Sequence, residues 1–260
     1  MEFVKKLEGN DVYFLEVIGD KILVNYNYSG ILVFDRELCL LETIEIMDDF
    51  IIESSVKRGQ EILFICPENK SFVYFNLVGY HYKIISMVGW EDWIFSPLFQ
   101  WEGDKILLSD YKGRLAQLDL EREEICEVIP SGKEGILQQR QKLNDFVVEK
   151  MFAEDRRAVV ESEDGDLELI DYTEEICSII CLPKGDFHDF ELQGASVTEI
   201  GEEFVLETNL ETNECQEYAP EEGYCYLRGK YMAAGQQTFL FLLSSDMADN
   251  GVARIERHLL

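Results

Sequence analysis

The chain has 260 residues, and its 52 Asp and Glu against 23 Lys and Arg give a formal net charge of −29 at pH 7. Such a chain lacks the basic surface that nucleic-acid backbones and anionic membranes require, which excludes both as expected partners. Hydrophobic residues make up 47% of the chain and aromatic residues 12%, so the sequence encodes a packed protein rather than a disordered one.

The N-terminal segment and the cysteines favour a cytoplasmic protein. Residues 1–8 contain neither an apolar core nor a small-residue cleavage site, so they do not resemble a secretory signal. No apolar stretch reaches the roughly 18 residues that a membrane-spanning helix needs. The seven cysteines include no CxxC pair, and we interpret them as reduced, small core residues.

Strand–turn–strand units recur along the chain. The segment Gly19–Val24 (GDKILV) returns as Gly103–Leu108 (GDKILL), and a short turn and a second apolar run follow both copies. A third copy contains Ala158–Val160 and Gly165–Asp171. Repetition of this kind predicts a fold built from stacked copies of one structural unit.

An acidic residue followed by an aromatic or β-branched residue opens each of the first five units. These pairs begin at residues 11, 49, 92, 145 and 189, and a sixth unit without the Asp begins near residue 223. In the second unit the predicted strands are 50–53, 62–65, 72–75 and 83–86. Four short strands in a period of about 40–45 residues are typical of a β-propeller blade.

The predicted fold is therefore all-β, a single β-propeller domain over residues 1–260 with six four-stranded blades. The sixth unit has no fourth strand of its own, so we expect residues 2–7 to supply it and to close the propeller by pairing N-terminal and C-terminal strands. A β-sandwich is the alternative.

The pattern resembles the Trp-Asp-repeat type of β-propeller over nearly the whole chain. Phe34-Asp35, Leu118-Asp119 and Ile170-Asp171 occupy a place comparable to that of the family's terminal Trp-Asp pair. The resemblance implies architecture, and it assigns no functional residue.

Acidic residues and tyrosines gather at comparable positions of several units. In a propeller, the loops before the first strands and the turns between the second and third strands open on one rim. On protein-binding surfaces, carboxylates supply electrostatic steering and aromatic side chains supply contact area, whereas the alternative is that these acids satisfy backbone amides in turns. We expect a partner to bind at Asp48, Asp49, Glu91, Asp92, Glu163, Asp164, Tyr26, Tyr28, Trp90 and Tyr111.

No motif for catalysis or for a cofactor is recognisable. The three histidines are far apart in the sequence, and both a glycine-rich phosphate loop and a GxSxG elbow are missing. We therefore expect no cofactor and no metal. The alternative is a ring of carboxylates that binds a metal in the channel, as in lactonase-like propellers, formed by Asp49, Asp92, Asp145 and Asp189.

The sequence favours a non-catalytic, strongly acidic module that binds a basic protein. Its negative field attracts cationic partners and repels anionic competitors. The most specific version is an immunity or inhibitor protein that neutralises a cationic nuclease toxin, because nucleases need positive active sites to bind nucleic acid. The alternative from another class is a metal-dependent, lactonase-like hydrolase that uses the channel carboxylates.

Overall fold

The architecture is all-β in a computed structural model of the chain. The structure describes residues 3–7, 11–110, 112–129, 136, 143, 147–152, 156–161, 164, 166–172, 179–182, 187–247 and 252–260, without the side chains of residues 96, 97, 147 and 179. These residues form six four-stranded antiparallel sheets, the blades of a β-propeller. The all-β class and the propeller with six four-stranded blades are confirmed.

In five of the six blades, the order of strands in the sheet follows the order in the chain. The first blade contains β2 (Leu15–Ile18), β3 (Lys21–Tyr26), β4 (Gly30–Asp35) and β5 (Leu40–Glu45). The second contains β6 (Ser54–Arg58), β7 (Glu61–Cys66), β8 (Ser71–Asn76) and β9 (His81–Ser86). The third contains β10 (Phe95–Glu102), β11 (Lys105–Asp110), β12 (Leu115–Asp119) and β13 (Glu124–Val128).

The fourth and fifth blades repeat this order. The fourth contains β14 (Val147–Phe152), β15 (Arg157–Glu161), β16 (Leu167–Asp171) and β17 (Ile179–Cys181). The fifth contains β18 (Phe187–Gln193), β19 (Ser196–Gly201), β20 (Val205–Asn209) and β21 (Cys215–Tyr218).

The sixth blade combines strands from both ends of the chain. It contains β22 (Tyr224–Ala234), β23 (Gln237–Asp246) and β24 (Ala253–Leu259), and its fourth strand is β1 (Phe3–Lys6). β1 pairs antiparallel with β24, with Phe3 opposite Arg257 and Lys6 opposite Arg254.

The blades belong to two compact units, each described by itself. Residues 1–50 and 185–260 form the first unit, with the first, fifth and sixth blades, and residues 51–184 form the second unit, with the other three. The first unit has 26 Asp and Glu against 8 Lys and Arg, a formal charge of −18, and the second has 26 against 15, a formal charge of −11. The first unit therefore holds most of the uncompensated negative charge.

Middle strands such as β3 and β7 are continuous apolar runs because both of their faces are covered. Ile22, Leu23 and Val24 in β3 are all fully buried, as are Leu63 and Phe64 in β7. Strands buried on both faces lose the alternation of polar and apolar residues that marks a half-exposed strand. The fourth strands are exposed in contrast, and their charged and polar side chains protect an open sheet edge from pairing with other chains.

The turn between the first and second strands depends on one left-handed residue. In five blades this residue is a glycine with φ between 56° and 67°, namely Gly19, Gly59, Gly103, Gly194 and Gly235. In the fourth blade the left-handed residue is Arg156, with φ 53°, which directly precedes β15. Glycine adopts this region without the steric penalty that a β-carbon brings, which explains why Gly-Asp-Lys recurs in the sequence.

The predicted first strand of the second blade was wrong. Residues 50–53 form the connection into the blade, and β6 begins at Ser54. The Phe50 side chain is fully buried and its N–H donates to Tyr28 O, while the Ile51 N–H donates to the Asn69 side chain. The alternation of buried Phe50 and Ile52 with more exposed neighbours therefore comes from an anchored loop rather than from strand pairing.

Candidate protein-interaction site

One buried amide organises the rim of the first unit. The Asn25 side chain is fully buried, and its Oδ1 accepts the N–H groups of Tyr13 and Phe14 at 2.9 Å each. Its Nδ2 donates to Asp11 O and Asn27 O at 2.8 Å each. The loop at residues 11–14 is thereby fixed against the turn at residues 26–29, and the rings of Tyr13 and Tyr28 lie 6.3 Å apart.

The same turn holds the loop that contains Asp48 and Asp49. The N–H groups of Ile46 and Met47 donate to Ser29 O, and the Phe50 N–H donates to Tyr28 O at 2.7 Å. Four predicted contact residues therefore come from two adjoining segments, with three of them exposed (Tyr28, Asp48 and Asp49) and Tyr26 half-buried against the hydrophobic core.

Next to the loop at residues 11–14 lies a pocket of about 160 Å³. Tyr13, His188, Glu202, Leu227 and Arg228 line it. His188 Nε2 lies 3.0 Å from Leu227 O, and Arg228 Nη1 donates to the same carbonyl at 3.0 Å. The pocket thus combines an aromatic ring, an imidazole and charges of both signs within the first unit.

The fifth blade and the segment that follows it contain many acidic residues and no basic ones. Residues 187–227 include eleven Asp and Glu and no Lys or Arg. Seven of these acids are exposed: Glu202, Glu203, Glu211, Glu214, Glu217, Glu221 and Glu222. This surface was not predicted because its acids do not recur in every unit; its signal in the sequence is a long interval without Lys or Arg.

The predicted contacts in the second unit have local counterions. Arg114 lies 2.7 Å from Asp92 Oδ2 and 2.7 Å from Asp110 Oδ2, and its guanidinium stacks on the Trp93 ring. The hydrogen bond from Arg114 lowers the pKa of Asp92. Glu91 accepts the Gly89 N–H at 3.0 Å, and hydrogen bonds from backbone amides lower its pKa. These acids stabilise their own surroundings through Arg114 and the backbone amide of Gly89.

Four further predicted residues have different outcomes. Trp90 is half-buried, and its ring lies 4.8 Å from that of Trp93. Asp164 is exposed. Tyr111 and Glu163 lie outside the described residues.

The metal-binding alternative finds no support in the part of the chain that the structure describes. No group of three or more His, Cys, Asp or Glu side chains there has a metal-binding arrangement. Asp49 is exposed, Asp92 pairs with Arg114, and Asp189 is buried in β18 with Arg228 Nε 4.0 Å away. Asp145, the fourth proposed ligand, lies outside the described residues.

Charged side chains also join the first strands of the fifth and sixth blades. β22 packs against β18 and also against β2 of the first blade. Lys230 on β22 pairs with Glu191 on β18, and both side chains are largely shielded from solvent. Together with Arg228 and Asp189, this pair holds β18 and β22 against each other by opposite charges. Asp189 and Glu191 therefore stabilise the fold.

A second buried network lies on β24 and was not predicted. The Glu256 carboxylate is fully buried, with Arg254 Nη2 at 2.8 Å and His258 Nε2 at 3.3 Å. The Tyr226 hydroxyl donates to it at 3.1 Å, and Arg254 Nε donates to Ser244 Oγ at 3.0 Å. Burial raises the pKa of Glu256, but His258, Arg254 and Tyr226 stabilise the carboxylate and bring its pKa below the ordinary value.

No protein-family profile matches the chain, and no curated protein sequence matches it. The chain is similar to the Myceliophteria thermophila Cps50 (Swd1) β-propeller domain, with 11% identity, 97% of this chain and 87% of that chain covered, and a TM-score of 0.46. It is also similar to the AfRom2 CNH domain (11% identity, 96% and 95% covered, TM-score 0.44) and to YCF48 bound to D1 peptide (10% identity, 96% and 84% covered, TM-score 0.45).

Among the described residues, no helix has the length and apolar character needed to cross a membrane. The propeller architecture itself is one that commonly mediates protein–protein interaction. By its own strand order, the chain is a six-bladed β-propeller.

Proposed function

We propose that the chain is a non-catalytic binding protein whose acidic surface docks a basic protein partner. The observation that carries the proposal is the charge distribution in the first unit, where residues 187–227 contain seven exposed acids and no Lys or Arg. Although Glu221 pairs with Arg254, an excess of exposed acids raises the encounter rate with a positively charged protein and repels anionic competitors, including nucleic acids and anionic membranes.

The finer form of the proposal is an immunity or inhibitor protein that neutralises a cationic nuclease toxin. A nuclease concentrates Lys and Arg where it binds phosphates, and an acidic protein surface competes for that same region. The proposed setting is the reducing cytoplasm, in which free thiols persist. Thiols without a disulfide are found at Cys39, Cys66, Cys126, Cys181, Cys215 and Cys225.

The test compares two variants that lose the same charge from different blades. The first carries Glu211→Gln, Glu214→Gln and Glu217→Gln in the fifth blade, where no cation is near in sequence. The control carries Glu121→Gln, Glu124→Gln and Glu127→Gln in the third blade, where Arg122 and Lys105 accompany exposed acids.

Each immobilised protein is offered native lysate at low salt, and the captured proteins are identified by mass spectrometry and ranked by isoelectric point. We expect basic proteins to be enriched on the wild type, released at about 0.5 M salt because screening shortens the reach of charge, and reduced about tenfold on the fifth-blade variant. The nuclease form further requires that a salt-released protein degrades nucleic acid and that added wild-type chain inhibits it. Equal losses on both variants, or capture independent of isoelectric point, would contradict the proposal.

A further inference from the structure

The pocket next to Tyr13 has the size of a single side chain. Its volume is about 160 Å³, below the roughly 300–1,000 Å³ of pockets that bind small-molecule ligands. At about 30 Å³ for each water, it accommodates on the order of five water molecules. An occupant of this size is a single side chain.

Glu202 is the acid on the wall of the pocket that is available to an incoming charge. Its side chain is exposed, while its backbone oxygen accepts the Tyr226 N–H at 3.0 Å and so fixes the turn between β19 and β20. The positive wall residue, Arg228, is already engaged with Asp189 at 4.0 Å and with Leu227 O at 3.0 Å. The balance of charge in the pocket therefore favours a cation.

The remaining walls suit a cationic end group as well. His188 Nε2 donates to Leu227 O, which leaves Nδ1 of that tautomer as a hydrogen-bond acceptor. The Tyr13 ring forms another wall, and Asn25 fixes its backbone. A guanidinium or ammonium group over an aromatic face gains cation–π attraction, and a carboxylate beside it adds charge-assisted hydrogen bonds.

Exposed acidic residues also lie around the pocket. Glu203 follows Glu202, Asp11 lies in the loop that contains Tyr13, and Asp48 and Asp49 lie in the loop that is hydrogen-bonded to residues 28 and 29. No Lys or Arg occurs from residue 187 to residue 227. Arg228 offsets part of the field that an approaching basic side chain meets, but the exposed acids outnumber it.

We propose that the pocket lined by Tyr13, His188, Glu202, Leu227 and Arg228 receives one Lys or Arg side chain of the docked protein. The side chain stacks on Tyr13 and directs its charged group to Glu202. This inference rests on the proposed function for the identity of the protein that carries the side chain, but the pocket's preference for a basic group can be measured without that protein.

The test uses three small probes of the same backbone: the N-acetyl methylamides of arginine, lysine and citrulline, the last being a neutral analogue of arginine. Each is titrated into the full-length, ¹⁵N-labelled protein while amide chemical shifts are followed. We expect saturable shifts at Glu202, Leu227 and Arg228 with a basic probe and none with citrulline. A response to arginine alone, lysine alone or both supports the proposal and identifies the preferred group.

Two neighbouring variants provide a matched pair. Glu202→Gln removes the carboxylate on the pocket wall, and Glu203→Gln removes the same charge from the next residue, which does not line the pocket. We expect the first to weaken binding of the basic probe at least fivefold and the second less than twofold, with Tyr13→Leu weakening it as well. Their unperturbed spectra elsewhere establish that the variants fold.

Equal effects of the two Glu variants, an equal response to citrulline, or shifts that map away from the pocket would overturn the inference. None of these results depends on a protein partner. If the basic probes do not bind in the pocket while basic proteins are still captured, the proposed function stands and the insertion of a side chain is wrong. If the probes bind in the pocket but no basic protein is captured, the pocket's preference for a basic group stands and the proposed function is wrong.

Discussion

Glu256→Gln tests whether the buried network on β24 determines the stability of the sixth blade. The substitution keeps the size of the side chain and removes its charge, so Arg254, with 1% of its side chain exposed, loses its buried counterion and keeps only the exposed carboxylate of Glu221. The Ser244 and Tyr226 contacts remain geometrically available. Because solvent screens the Glu221 charge, the cost should approach the about 3–5 kcal/mol of removing one member of a buried ion pair.

The expected loss corresponds to a large change in thermal unfolding. For a chain of this size, about 2–3 °C of Tm corresponds to 1 kcal/mol, so Tm should fall by roughly 6–15 °C. Circular dichroism and differential scanning calorimetry at pH 7 measure it. The control is Glu217→Gln, which removes an exposed carboxylate of the fifth blade and should change the free energy of unfolding by no more than about 0.5 kcal/mol.

The stability that Glu256 contributes should also depend on pH. The folded-state pKa of Glu256 lies below its ordinary value of 4.5, so the carboxylate contributes stability above that pH and loses the contribution as pH falls through the folded value. The gap in Tm between wild type and Glu256→Gln should therefore narrow in acid. A variant that unfolds within 2 °C of the Glu217→Gln control at pH 7 would refute the argument, as would a gap that widens in acid.

Three further predictions concern a strained turn, a buried acid and the thiols. Arg156→Gly should raise the free energy of unfolding by up to about 1 kcal/mol in calorimetry, because it removes a β-carbon from a left-handed turn; a lower Tm would contradict it. Glu199 is fully buried, and neither carboxylate oxygen has a hydrogen-bond partner among the described residues; burial raises its pKa to about 8. Ionisation therefore opposes folding increasingly as pH rises from 4.5 to 8, so Glu199→Gln should raise Tm more at pH 8 than at pH 5, and an equal effect at both would count against it. Burial raises the pKa of Cys66 to about 12, so iodoacetamide followed by mass spectrometry should label exposed Cys39 and Cys126 long before Cys66; comparable rates would disprove this.

The repeat was sufficient to predict the blades because the second and third strands are specified locally. A turn that needs a left-handed glycine is followed directly by an apolar run in Gly19–Val24 and in Gly103–Leu108. Both signals are visible in the sequence without knowledge of tertiary contacts. First strands were harder to locate, since the burial of Phe50 in a connecting loop mimics the alternation of a strand.

The candidate site was predicted only where local hydrogen bonding decided it. Tyr28, Asp48 and Asp49 lie on adjoining segments because their turn and loop bond directly to each other. The role of Asp92 depends on Arg114, which lies 22 residues away in sequence, and a single sequence does not indicate that pairing. Arg254 and Glu256 alternate with apolar residues and therefore resemble an exposed strand face, although both are buried.

The pairing of β1 with β24 has a consequence for how the chain reaches its folded state. β24 is the last strand of the sixth blade to be synthesised and needs the early strand β1 as its neighbour, so this sheet stays incomplete until β24 has been made. Before then, or after removal of residues 3–6, β24 presents an open edge of backbone donors and acceptors. Removal of residues 3–6 should therefore promote self-association more than a deletion of the same length in an exposed loop.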